Sequence, residues 1–339
     1  MKYKCGMYGG SFNPLHLGHV RCMIEAANQC EELIIVISEG CNRNEIDVRI
    51  RYRWIYQLMN HIGNTRIFIM QDNAKTKQDY TKEYWMDDAK KVKEYAGKKI
   101  EAVFCGSDYD ENSFWAKCYP EAEIIYFERN DISSTKIREN VMEHWDWLPN
   151  VVKPYFTKKV LLIGGESTGK STLTINLAHY YNTNYLEEVG RDISERSGTD
   201  RLMLSDDFTD ILLLHKIKER EALLSSNKVL FEDTDCLITK FYIRFLEGKD
   251  TSANEELADA ISALNSYDLV LFLEPDVKFV QDGDRSEVIA SNRTTYSDQI
   301  KELYGEKQFN YEIISGNYQE RFLKAVSLVD NLLKGEGIK

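Results

Sequence analysis

The segment Gly164-Gly165-Glu166-Ser167-Thr168-Gly169-Lys170-Ser171 constrains this 339-residue chain more than any other. It fits the pattern Gly-x4-Gly-Lys-Ser/Thr without a mismatch. The apolar run Lys159-Val160-Leu161-Leu162-Ile163 precedes it, and the helix-forming stretch Thr172-Leu173-Thr174-Ile175-Asn176-Leu177-Ala178 follows. Strand, glycine loop and helix in that order make a phosphate cradle. Backbone amides of residues 164–172 face the phosphates, Lys170 reaches the terminal ones, and the Ser171 hydroxyl is placed to ligate Mg2+. Nucleoside triphosphate binding, with ATP as the expected co-substrate, follows from this segment.

The rest of the chain reads as two α/β halves. All five tryptophans (Trp54, Trp85, Trp115, Trp145, Trp147) precede residue 150, and Pro149 and Pro154 bracket a short seam before a new strand begins. Domains are expected over 1–150 and 157–339. Strands are expected at Tyr3–Tyr8, Leu33–Ile37, Arg66–Met70, Ala102–Cys105 and Glu123–Phe127. In the second half they are expected at Val160–Ile163, Tyr185–Glu188, Val229–Phe231, Leu269–Leu273 and Tyr311–Ile314. Apolar strands alternating with helices such as His19–Gln29 and Tyr84–Tyr95 predict, in each half, a parallel sheet with helices on both faces.

Composition removes several classes. No apolar run approaches membrane-spanning length, and the N-terminus lacks a secretory signal pattern. The formal net charge of −12 argues against a general nucleic-acid binder. Seven cysteines, an odd number without CxxC spacing, make disulfides and a structural zinc site improbable and favour the cytoplasm.

Strand one runs into Gly9-Gly10-Ser11-Phe12-Asn13-Pro14-Leu15-His16-Leu17-Gly18-His19. Glycines permit close backbone approach, and His16 and His19 share one face of an incipient helical turn. Two imidazoles beside helix-terminal amides suit a triphosphate. The string resembles the (H/T)xGH signature of the nucleotidyltransferase superfamily, in the form found in nicotinamide-nucleotide adenylyltransferases. Ile132-Ser133-Ser134-Thr135-Lys136-Ile137-Arg138 resembles that family's second string, ISSTxIR. The resemblance implies that His16 and His19 are catalytic and that Gly10, Ser11, Phe12, Asn13, Ser133, Ser134, Thr135, Lys136 and Arg138 bind ATP. The attacking phosphate of a mononucleotide is already anionic, so no general base is required; catalysis is positioning and electrostatics. For the mononucleotide, Trp85 in the Tyr84-Trp85 segment is a candidate to stack on a pyridinium ring. Gly106, Ser107 and Asp108 follow strand four, where ligands gather. Arg43, Arg51 and Arg53 form a further cationic group.

In the second half, Glu232-Asp233-Thr234-Asp235 ends an apolar strand, and Asp233 is the favoured magnesium partner of Ser171. Glu188, Asp233 and Asp235 remain rivals for the base and for holding the acceptor hydroxyl, with Arg191 beside them. Arg285, in Asp282-Gly283-Asp284-Arg285, is a candidate lid over ATP, and Arg293 is the alternative.

The order of these strings resembles the bifunctional NadR-type proteins over essentially the whole chain. That resemblance implies a nicotinamide mononucleotide adenylyltransferase joined to a ribosylnicotinamide kinase, with nicotinamide riboside, nicotinamide mononucleotide, ATP and NAD as small-molecule partners. Some members carry an N-terminal helix-turn-helix repressor domain; here the catalytic turn begins at residue 9, so no DNA partner is expected, and without a spanning apolar run no membrane partner is expected either. Another adenylyltransferase–nucleoside kinase fusion and a non-catalytic nucleotide sensor are the alternatives. Homo-oligomerisation is left open.

Overall fold

The computed structural model describes residues 1–41, 45–106, 117–128, 131–197, 202–246, 252–281 and 287–335. The chain forms two compact units, Met1–Lys153 and Pro154–Lys339, each built on one five-stranded sheet. All strand pairs within the two sheets are parallel.

In the first unit β1 (Tyr3–Gly10), β2 (Cys30–Gly40), β3 (Thr65–Asp72), β4 (Ala102–Gly106) and β5 (Glu123–Phe127) lie in the order β3-β2-β1-β4-β5. Helices α1 (Leu17–Ala27), α2 (Val48–Met59) and α3 (Lys82–Ala96) make crossovers, and α4 (Ser134–Glu139) follows β5. Leu33 to Ile37 are fully or almost fully buried, because helices cover both faces of a doubly wound sheet. Strand order reverses between β1 and β4. The crevice at their C-terminal ends therefore belongs to the loop after β1.

In the second unit β6 (Lys158–Ile163), β7 (Tyr185–Leu186), β8 (Val229–Asp233), β9 (Leu269–Leu273) and β10 (Glu312–Ile314) lie in the order β10-β9-β6-β8-β7. The helices used below are α5 (Lys170–Tyr180), α6 (Val189–Ser197), α7 (Ser205–Leu224), α8 (Cys236–Leu246), α9 (Ser252–Leu264), α10 (Arg293–Glu306) and α11 (Tyr318–Lys334). One side of the sheet buries Val160, Leu162 and Phe231 against Leu173 and Leu177 of α5 and Ala325 and Val329 of α11. The other buries Leu161, Ile163 and Phe272 against Ile193, Phe208, Ile211 and Leu237.

Two strand ends that differ from expectation set the carboxylates of this unit. β7 stops at Leu186, pairing only through Tyr185↔Phe231 and Leu186↔Glu232, so Glu188 lies beyond the sheet. β8 continues to Asp233 because its ladder to the central strand runs on through Leu161↔Glu232 and Leu162↔Asp233. Side chains alternate along a strand. Asp233 consequently shares the α5 side with Phe231, and Glu232 the α7 side. Among the described residues no helix is long and apolar enough to cross a membrane. All seven cysteines are free thiols.

Candidate active sites

Leaving β1, the chain passes through Phe12, a buried residue with φ of +50°. His16 then caps α1, its Nδ1 accepting the His19 amide at 3.3 Å. An accepting Nδ1 places the proton of a neutral imidazole on Nε2. The cap also stacks the two rings, with centroids 3.6 Å apart and planes at 15°, and Phe12 meets His19 edge-on at 5.1 Å. Gly18 permits this: a Cβ there would stand 3.1 Å from His16 Nδ1.

The second string closes on the first. Ser133 caps α4 by accepting the Thr135 amide at 3.2 Å, and Ser134 Oγ donates to the Pro14 carbonyl at 3.0 Å. Arg138 donates to the Asn13 carbonyl and, at 3.2 Å, to Thr135 Oγ1. Asn13 Oδ1 in turn accepts the Ile46 amide at 3.1 Å, tying in the segment before α2. Lys136 is exposed, with Nζ 3.4 Å from the Asp131 carbonyl and 6.0 Å from the Trp147 ring. Gly10 ends β1 and Ser11 follows it.

Two expectations in this unit, on Arg51 and on Trp85, are revised. Arg51 is no surface cation: it is 1% exposed, paired with Glu45 at 3.1 Å, and donates to the carbonyls of Ser11, Ser38 and Ile46 at 2.6, 3.1 and 2.7 Å. A planar fork of donors satisfies converging carbonyls that lysine could not reach together, so Arg51 braces the turn after β1. Arg53 is exposed, and Arg43 lies outside the described residues. Trp85 is a packing residue: its ring stacks on Tyr80 at 5.6 Å and packs on the core cluster of Met7, Met70 and Val92. Asp72, at the end of β3, organises this corner by accepting from Tyr80 Oη at 2.7 Å and Tyr84 Oη at 2.9 Å. Gly106 ends β4; Ser107 and Asp108 lie outside the described residues.

In the second unit, the loop from Gly164 to Gly169 needs its glycines. Gly164 has φ of +144°, and a Cβ on it would stand 2.6 Å from the Leu273 carbonyl; Gly169, before α5, has φ of +89°. Thr168 Oγ1 donates to the Gly165 carbonyl at 2.9 Å and Lys170 Nζ to the same oxygen at 3.0 Å. A cleft of about 410 Å³ opens in front of the loop. Residues Glu166 to Thr172, Glu188 and Arg191 line it, together with the apolar Met203, Phe208, Ile211, Ile238 and Leu246.

Asp233 is 1% exposed and hydrogen-bonded by Ser171, while its Oδ1 has no partner. Burial, reinforced by nearby Glu188 and opposed by Lys170, pushes its carboxyl up to about 6. An orphaned, buried carboxylate oxygen beside a serine hydroxyl and a lysine fits a divalent cation that draws its other ligands from phosphate and water. Among the described residues no cluster of three or more His, Cys, Asp or Glu side chains offers an all-protein site. Arg191 lies 3.5 Å from Glu188 and donates to Ser171 Oγ at 3.4 Å, so the turn into α6 and its first residues bring both charges beside the loop serine.

Asp235, a rival for the acceptor, is turned into the core. It is 1% exposed, and it caps α8 by accepting the amides of Leu237 and Ile238 at 2.9 and 3.4 Å. Tyr267 Oη reaches it at 3.4 Å, and Tyr304 Oη also donates to it. With its oxygens engaged by the helix start and two phenols, Asp235 is a structural cap. Arg285 lies outside the described residues. Arg293 touches the loop directly, donating to the Ser167 carbonyl at 3.2 Å and to Val277 at 2.6 Å.

Sequence reasoning missed two supports of this loop. Tyr242 donates to Glu166 Oε1 at 3.1 Å. Arg321, 2% exposed on α11, donates to the carbonyls of Thr168, Gly316 and Glu274 at 2.6, 2.8 and 2.8 Å and pairs with Asp276. Nothing near Arg321 in the sequence marks it; an arginine on an otherwise amphipathic helix reads as a solvated face.

Residues 7–140 match a cytidylyltransferase-like family profile, and residues 159–321 match an AAA-domain profile. The class defined by fold and site is a nucleotidyltransferase-like unit followed by a phosphate-loop nucleotide-binding unit. Within that class the chain is similar over nearly its whole length to NadR-type proteins. It is 28% identical to the trifunctional NAD biosynthesis/regulator protein NadR of Salmonella typhimurium and 29% identical to that of Escherichia coli, each over 98% of this chain and 84% of the relative. A crystal structure of NadR protein in complex with NR superposes with a TM-score of 0.82 at 22% identity, covering 100% of this chain and 97% of that one, which establishes the shared fold. The first unit alone also resembles the phosphopantetheine adenylyltransferase of Mycoplasma mycoides, at 27% identity over 40% of this chain and 95% of the relative.

Proposed function

We infer that the chain is a bifunctional enzyme of NAD synthesis. It phosphorylates nicotinamide riboside with ATP, then adenylylates the mononucleotide with a second ATP to give NAD and pyrophosphate. The observation that carries this reading is the closure of Arg138 and Ser134 onto Asn13 and Pro14, from 125 and 120 residues away, in a chain whose second unit holds a complete phosphate loop.

For adenylyl transfer, the Nε2 proton of His16 and the stacked His19 are donors for the ATP phosphates, with the α1 amides behind them. Arg138 and Lys136 add positive charge where pyrophosphate leaves. The mononucleotide phosphate attacks unaided, so the site's task is alignment. Gly106 remains on the mononucleotide side of the crevice.

For phosphoryl transfer, Lys170 and the loop amides hold the terminal phosphates of ATP. Ser171 and Asp233 are the residues that would hold Mg2+, which when bound neutralises charge between the phosphates. Glu188, facing the cleft beyond Lys170 and Ser171, is placed to take the acceptor hydroxyl proton, and Arg191 steadies the transferring group. The apolar cleft residues leave room for the base of the riboside. With free thiols throughout and a net charge of −12, the cytoplasm is the location we assign, with small molecules rather than DNA or membrane as partners.

Incubation with nicotinamide riboside, ATP and Mg2+, with products resolved in time, tests the reading. Mononucleotide and ADP should precede NAD and pyrophosphate. Turnover of another nucleoside or of phosphopantetheine, with nicotinamide riboside untouched, would overturn the substrate assignment.

A further inference from the structure

The turn between β8 and α8 carries a strained residue. Thr234 has φ of +69°, a left-handed backbone that a β-branched side chain rarely adopts. It is 5% exposed and sits between the cation-facing Asp233 and the helix-capping Asp235. This reversal aims the two carboxylates into different surroundings. Two hydrogen bonds hold its backbone. Its amide donates to the Leu162 carbonyl at 3.1 Å, extending the β6–β8 ladder, and its carbonyl lies 3.1 Å from Nε2 of His215.

His215 belongs to α7 and lines the cleft, yet it is only 5% exposed. A carbonyl can only accept, so Nε2 carries the proton and the ring is the Nε2–H tautomer. Burial makes the ring harder to protonate, leaving it neutral at working pH. The ring therefore works as a fixed donor.

We propose that His215 is a positioning residue of the kinase reaction: by holding the strained Thr234 carbonyl it keeps the Asp233 carboxylate against Ser171. The strain must be over-determined by its surroundings to persist, and His215 is the side chain that does this from outside the strand. Losing the bond lets Thr234 relax toward the ordinary extended region, which rotates the peptide that follows Asp233. The proposal rests on the kinase reading above, but its geometry can be tested without turnover.

The experiment uses the full chain and four variants: His215→Ala, His215→Gln, Thr234→Gly and the double variant Thr234→Gly/His215→Ala. Kinase rates are measured with nicotinamide riboside, and manganese affinity in the presence of ATP is read by electron paramagnetic resonance. His215→Ala should lower kcat on the order of 10- to 100-fold, as expected for a misplaced group, with KM for ATP and riboside changed by less than about threefold. His215→Gln, whose amide nitrogen stands near the Nε2 position, should recover most of the rate. Thr234→Gly should stay near the parent rate. The double variant should resemble Thr234→Gly, because glycine adopts the left-handed backbone without support. Manganese affinity should follow the same order. A double variant as impaired as His215→Ala, or His215→Ala with unchanged kcat and manganese affinity, overturns the proposal. Absence of riboside phosphorylation by the parent chain would refute the kinase reading alone, since manganese affinity still decides the role of His215.

Discussion

Glu232 is 0% exposed, and neither carboxylate oxygen has a partner. Burial, with Glu219 adding to it and Lys159 opposing, raises its carboxyl from the ordinary 4.5 to about 8. Between those values the folded chain keeps a proton that the unfolded chain has released. Stability from this group is therefore fully present below pH 4.5 and is lost as pH rises through about 8. The limiting slope is about 1.4 kcal/mol per pH unit, so roughly 2–3 kcal/mol disappears between pH 6 and pH 8. Glutamine has almost the same shape and cannot ionise. Glu232→Gln should be more stable than the parent, with the gap widening by about 2 kcal/mol from pH 6 to pH 8, equivalent to roughly 4–8 °C in Tm for a unit of this size. Urea unfolding followed by far-UV circular dichroism measures the gap. Tryptophan fluorescence is an internal control, because all five tryptophans precede residue 150 and report on the first unit. A gap that does not change with pH, or a variant less stable than the parent at pH 8, would refute the assignment of a buried neutral carboxyl.

Lys170→Ala should abolish riboside phosphorylation and leave adenylylation of added mononucleotide nearly intact, and His19→Ala should do the reverse; each loss is on the order of several kcal/mol of transition-state stabilisation, read from kcat/KM on a folded chain. Loss of both activities in either variant would contradict two separate sites. Gly164→Ala combines a φ of +144° with a 2.6 Å approach to the Leu273 carbonyl, so it should cost at least about 2 kcal/mol in the second unit and remove ATP binding, measured by calorimetry. Kinase kcat/KM should fall as pH drops through about 6, where Asp233 gains a proton, and Asp233→Asn should be slow at every pH and lack that limb. A parent profile flat between pH 5 and 7 would remove Asp233 from the cation.

Both sheets, both glycine-bearing turns and their place at strand C-termini were legible in the chain order. Local physics decides them: glycine where a backbone must bend, a histidine or serine where a helix must start, and unbroken apolar runs where a strand is covered on both faces. What the linear order left open was which of several similar residues meets the ligand. Glu188, Asp233 and Asp235 are equivalent as letters. They part because β8 extends to Asp233, strand alternation turns Asp233 toward Ser171, and the left-handed Thr234 sends Asp235 into the start of α8. Arg51 and Arg321 likewise read as surface charges until the turns around them deliver carbonyls that only a buried guanidinium can satisfy. Propensity and spacing are properties of neighbours in the chain; burial, charge pairing and carbonyl convergence are properties of neighbours in space, which only the folded sheet brings together.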